Sequence, residues 1–323
     1  MKKLKIDKFV LAIIAVVLLA YIFPQIGSKS SSIPLDLIGS IGISLIFFFY
    51  GLKLKPEKLK IGLKNWKLHL LVQFSTFLLF PTIILAFYPF IESQDNKDVW
   101  LAFMFLAALP STVSSSVVMV SMAKGNIPAA IFNATISGLI GIVVTPFWMG
   151  FFLKNNSSNY DLSSIYTKLL LEVLVPIILG LILQSYLGKL AEKHNKTLTL
   201  FDKSIILIII YKSFASSFEE KVFNNINFKD LTVITVLIII LFLIIYKLIG
   251  FISTKLKFNQ EDTITAQFCG TKKSLIHGTI FSKILFQNTA TIGIILLPLM
   301  LFHAIQIFII SIIASKLSNR EEF

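Results

Sequence analysis

Hydrophobic residues in this chain come in long runs separated by short polar connections. Ten runs can be marked, at about 8–24, 35–53, 67–90, 98–122, 127–153, 165–187, 201–218, 231–254, 260–285 and 291–315. An α-helix needs roughly 20 apolar residues to cross a bilayer. The pattern therefore predicts an all-α polytopic membrane protein with ten transmembrane helices. The 201–218 run is the weakest, being short and carrying Lys212. The polar stretch 154–164, Lys-Asn-Asn-Ser-Ser-Asn-Tyr-Asp-Leu-Ser-Ser, divides the chain into residues 1–153 and 165–316, five runs each. A repeat with an odd number of spans inserts its second copy upside down, so two inverted five-helix repeats are expected.

Polar residues interrupt the fourth run of each half, at about 98–122 and 260–285. Matched interruptions in inverted halves point to ion and substrate sites at the bilayer midplane. In the first, Ala108-Leu-Pro-Ser-Thr-Val-Ser-Ser-Ser116, Pro110 has no amide proton and blocks a continuous helix. Ser and Thr oxygens cap the free amides of a helix start, so one half-helix should end near Leu109 and the next begin near Ser111–Ser114. Its N-terminus suits an anion, which makes Ser111, Thr112 and Val113 substrate candidates. Hydroxyls and freed carbonyls also suit a hard cation, which makes Ser114, Ser115 and Ser116 ion candidates.

In the second, Gln267-Phe-Cys-Gly-Thr-Lys-Lys-Ser274, Gly270 is the expected break point and Thr271 the expected cap. Lys272 and Lys273 then fall in the first turn of the following half-helix. Cations are disfavoured at a helix N-terminus and inside a membrane. A bound anionic substrate would offset that cost. So would a lysine that carries a coupled proton, or an ammonium that takes the place of a metal cation. Successive helical residues point about 100° apart, from 3.6 per turn, so the two lysines need different partners. Further polar residues lie inside runs: Gln73, Asn133, Thr135, Ser137, His277, and His303 with Gln306. Each serves equally well as helix-packing glue. Glu172, one turn before Pro176, is the clearest intramembrane carboxylate.

Composition sharpens this picture. The 323 residues are 55% hydrophobic and 15% charged, against about a quarter charged in a soluble domain. The net charge of +13 does not indicate nucleic acid, because the lysines sit in short connections and form no basic domain. The single Cys269 excludes an intramolecular disulfide and a CxxC metal site. No small-x-small cleavage site follows Phe9–Phe23, so that segment reads as a first span. Lysines concentrate in the N-terminus and in the connections around 53–67, 189–203 and 247–257, whereas the alternate connections hold only Lys29, Lys97, Lys154, Lys168, Lys221 and Lys229. The positive-inside rule then places both termini in the cytoplasm, in a plasma or inner membrane. No Ser–His pair, HExxH or carboxylate dyad in a span supports an enzyme.

The chain resembles the bile acid:sodium symporter family, and more closely its outlying bile-acid-symporter-like branch grouped with cation–proton antiporters. The resemblance covers nearly the whole chain. It rests on Gly51-Leu-Lys-Leu, Val72-Gln-Phe, Leu109-Pro-Ser-Thr-Val-Ser-Ser-Ser-Val, Gly125-Asn-Ile-Pro-Ala-Ala-Ile-Phe-Asn, Thr145-Pro, Phe268-Cys-Gly-Thr-Lys-Lys-Ser-Leu and Leu297-Pro-Leu-Met-Leu-Phe-His-Ala-Ile-Gln. It implies a core domain with two broken helices crossing at midplane and a panel domain of the first, second, sixth and seventh helices. Each domain draws on both repeats. It also implies alternating-access transport of a small organic anion, bile-acid-like or a carboxylate, coupled to Na⁺. By the same resemblance Gln73 matches a sodium-site glutamine, and Ser115-Ser116 stands where Ser-Asn is usual. Gln267 stands where a glutamate shared by two sodium sites is usual, and Lys272 lies near a substrate-side Asn. Asn133 and Thr135 adjoin two ligand positions occupied here by Ala130 and Ala134. With that glutamate replaced and two lysines beside it, proton coupling through Lys272 or Lys273 is the alternative. A non-transporting regulator of ion homeostasis is another. No cofactor is expected beyond a coupling Na⁺ or H⁺, the partners are the bilayer and the anion, and nothing in the resemblance requires an oligomer.

Overall fold

The computed structural model describes residues 8–27, 31, 33–54, 65–90, 94–112, 114–153, 167–221, 227–286 and 291–318. Among these residues the regular structure is helical throughout. The helices are α1 Lys8–Ile22, α2 Leu35–Lys53, α3 Trp66–Leu85, α4 Gln94–Ala108, α5 Ser114–Met122, α6 Ile127–Leu153 and α7 Thr167–Ile182. They continue as α8 Gln184–Lys193, α9 Asn195–Glu219, α10 Phe228–Lys255, α11 Gln260–Thr271, α12 Leu275–Leu285 and α13 Ile292–Ser318. Five of them, α2, α3, α6, α10 and α13, are each long and apolar enough to cross a membrane alone. Such spans satisfy their own backbone polar groups, which lipid cannot do.

The chain forms two compact units, one of residues 1–55, 157–226 and 279–296, the other of 56–156, 227–278 and 297–323. In the first, α2 crosses α7 through facing glycines. A Cβ on Gly51 would collide with the Ile177 carbonyl, and one on Gly180 with that of Phe48. The weak 201–218 run proves to be part of α9, 25 residues long, whose Tyr211 hydroxyl donates to the Phe23 carbonyl at 2.6 Å. The sixth run is shorter than its hydropathy predicts: α7 stops at Ile182, and α8 leaves it at 98°. Residues 184–187 therefore belong to a separate amphipathic helix that exposes Tyr186 and Leu190 and buries Gly188 and Ala191.

The second unit holds both interruptions. Here α4 and α5 are separated by residues 109–113, and α11 and α12 by 272–274. Both interruptions expected from the sequence are present, but the second is displaced. Gly270 lies inside α11, and the extended backbone begins at Lys272, with φ −80° and ψ 147°. Gly270 serves close packing instead, because a Cβ there would approach Ile249 Cδ1 to 2.9 Å. Lys272 and Lys273 thus lie in the break itself and not in a helical first turn.

Candidate functional site

An interrupted helix exposes carbonyls at one end and amides at the other, and each buried one needs a partner. After α4, the Ala108 carbonyl accepts from Thr145 Oγ1 at 2.8 Å and the Pro110 carbonyl from the Ser274 amide at 2.8 Å. Two more, of Ala107 and Leu109, accept from Lys273 Nζ at 2.6 and 2.9 Å. At the end of α11, the Cys269 carbonyl accepts from Ser111 Oγ at 2.6 Å. The Lys273 peptide is held at both ends by one side chain. Its amide donates to Gln306 Oε1 at 2.8 Å, and Gln306 Nε2 donates to its carbonyl at 2.9 Å. The two breaks are therefore stitched to each other. The Pro110 ring fits because Gly141 faces it, where a Cβ would lie 2.7 Å away.

Lys273 is fully buried and has three acceptors. The third is the Thr76 carbonyl at 2.7 Å, and its availability has a local cause. Residues 75–79 of α3 form a π-helical turn in which the Phe80 amide bonds the Ser75 carbonyl. The next such bond, to the Thr76 carbonyl, would come from residue 81, which is proline and has no donor. The Phe80 ring completes the seat, with the ammonium 4.2 Å from its centroid. Three short charge-assisted bonds and an aromatic face make this a fully satisfied cation.

Lys272 differs. It is equally buried, yet among the described residues its ammonium donates to Ser115 Oγ alone, at 3.1 Å. Ser115 Oγ in turn donates to Thr112 Oγ1 at 2.9 Å, and Thr112 Oγ1 shares a 2.7 Å bond with Ser116 Oγ. One ammonium and three hydroxyls thus cluster at the start of α5. Extended residues alternate sides, which separates Lys272 from Lys273 just as the helical argument required, by a different geometry. Thr271 does not cap α12, since its hydroxyl donates back to the Gln267 carbonyl at 2.6 Å. The cap is Ser274, whose Oγ accepts from the His277 amide at 3.3 Å.

The remaining candidates divide. Gln73 Nε2 donates to Asn133 Oδ1 at 3.2 Å, and Asn133 Nδ2 bonds His69 Nδ1 at 2.9 Å. Gln73 Oε1 and Ser75 Oγ are buried without a hydrogen-bond partner among the described residues. Thr135 is buried, and Ser137 Oγ accepts from the Ser111 amide at 2.9 Å. Gln267 is turned to α10, donating to the Tyr246 carbonyl at 3.1 Å across Gly250. Val113 and the Ser114 side chain lie outside the described residues. Sequence reasoning passed over His69, Thr76 and Phe80. Pro81, a proline inside an apolar run, was the available signal for the Thr76 carbonyl.

Residues 7–319 match the SBF-like CPA transporter family. An uncharacterized protein of Pseudomonas aeruginosa is 34% identical over 98% of this chain and 94% of its own length. The Escherichia coli putative symporter YfeH is 33% identical over 98% and 94%. The Xenopus laevis sodium/bile acid cotransporter 7-B is 32% identical over 99% and 94%. The chain belongs to the SBF-like CPA transporter family, is a member of the bile acid:sodium symporter family, and is a multi-pass membrane transporter.

Proposed function

We propose that this protein is a secondary transporter that moves a small organic anion by alternating access, with the coupling proton carried on Lys272. The observation that carries the reading is the contrast between a fully buried Lys272 ammonium and its single hydroxyl partner. An ammonium has three donors, and an under-satisfied cation within a membrane marks a relay or substrate position. An anionic cargo would complete the site. Its carboxylate would meet Lys272 and the hydroxyls of Thr112, Ser115 and Ser116 at the dipole-positive start of α5. Release of the anion together with the Lys272 proton would return the site to neutrality. The relatives' names, putative symporter and sodium/bile acid cotransporter, support a bile-acid-like or carboxylate cargo and a coupling cation. In this reading the core is built around the unit with both breaks, α1, α2, α7 and α9 of the other unit form the panel, and ten spans form two inverted repeats. Both termini face the cytoplasm from the cell membrane, and the transporter works as a monomer.

A second reading, Na⁺ coupling, is favoured by the unpartnered oxygens Gln73 Oε1 and Ser75 Oγ and by the word sodium in the cotransporter names. Against it, Lys273 already fills the three-carbonyl seat that a bare cation would take. Purified protein in liposomes separates the two. Uptake of bile acids and small carboxylates is measured under an imposed H⁺ or Na⁺ gradient. Uptake driven by protons without Na⁺ is the expected result. Flux that needs Na⁺ transfers the coupling to the second reading, and no flux of any anion overturns the anion assignment.

A further inference from the structure

The unit of residues 1–55, 157–226 and 279–296 contains a cavity of about 360 Å³ whose wall is charged. Lys168, Lys212 and Lys283 balance Asp36, Glu172 and Glu220 around it. The six charges are unequally engaged. Lys212 is ion-paired with Asp36, and Lys168 and Glu220 have partners of their own. Among the described residues Lys283 Nζ donates only to neutral oxygens, the Asp36 carbonyl at 2.7 Å and Ser40 Oγ at 2.8 Å. That leaves one of its three N–H donors without an acceptor among the described residues. Its seat is built into α2 by a missing side chain, since a Cβ on Gly39 would lie 2.8 Å from that nitrogen. Glu172 is within electrostatic reach of Lys283 and makes no hydrogen bond among the described residues.

We propose that this cavity is a binding site for a small zwitterion, with the ligand carboxylate on Lys283 and its ammonium on Glu172. A simple anion would meet Lys283 but also the Glu172 carboxylate, and a simple cation would meet the reverse conflict. A molecule carrying both charges gives each of these groups a direct ionic contact, which neither has among the described residues, and leaves the balanced wall unchanged. The volume falls at the lower end of small-molecule sites, about 300–1,000 Å³, which suits an amino acid. None of these residues belongs to the Lys272 cluster, so the site stands apart from the anion reading.

Equilibrium binding to the full chain in detergent tests this. The probes are glycine, β-alanine and γ-aminobutyrate, with propionate and propylamine as single-charge comparators. At least one amino acid should bind about tenfold or more tighter than either comparator, the effect of one added charge-assisted contact. Glu172→Gln should remove the advantage over propionate, and Lys283→Gln the advantage over propylamine. All comparisons are made in the Lys272→Ala background, which removes the transport-site ammonium that propionate would otherwise meet. Propionate binding as tightly as the amino acids would overturn the proposal, as would binding that survives Glu172→Gln, and as would saturable binding by none of the probes. Glu172 is only half-buried, so its variant remains informative if Lys283→Gln fails to fold.

Discussion

The first break is built of acceptors and hydroxyls, and the second is built of cations. Proline opens the first, and the end of α4 leaves the carbonyls of residues 107–110 to find partners outside the helix; the second, with no proline, answers with Lys273, whose ammonium takes two of those carbonyls. Lys272, one residue earlier and just as buried, meets only Ser115 among the described residues. Adjacent identical side chains thus have opposite standing. One is consumed in holding two interrupted helices together, and the other keeps two donors without an acceptor among the described residues.

That contrast can be broken experimentally. The largest effect should come from Lys273→Met, which orphans the carbonyls of Thr76, Ala107 and Leu109. At about 1–3 kcal/mol for each unsatisfied group, the loss rivals the roughly 5–15 kcal/mol stability of a typical domain. Monodisperse protein in size-exclusion chromatography should disappear. Gln306→Leu comes next, because it strips both hydrogen bonds from the Lys273 peptide. About 2–5 kcal/mol is expected, read as a lowered melting temperature with some folded protein remaining. Ser274→Ala is the mildest. It removes the cap of α12, worth about 1 kcal/mol, and should shift melting by a few degrees while leaving Lys273 seated. A Lys273 variant as stable as Ser274→Ala would erase the distinction between the two lysines.

The first break was legible because proline acts through its own backbone, with no help from tertiary structure. The second was found but misplaced, because Gly270 reads as a helix breaker and in fact makes room for Ile249. That the two lysines must differ was legible from their adjacency. Which one is satisfied was not, since the answer depends on a carbonyl that Pro81 frees in a helix almost two hundred residues earlier. The sixth run was overextended for a related reason. Leu187 and Leu190 continue the apolar pattern, but on a helix that has turned by 98°. Hydropathy counts residues without sensing direction.

The central claim is that Lys272, and not Lys273, is the group that cargo and coupling proton share. Uptake of a transported anion into liposomes, driven by a proton gradient in Na⁺-free buffer, tests it most directly when Lys272→Met is compared with the parent chain. The account predicts that Lys272→Met folds and melts like the parent and that its gradient-driven uptake falls to background. Undiminished proton-driven uptake by the folded Lys272→Met protein would contradict it.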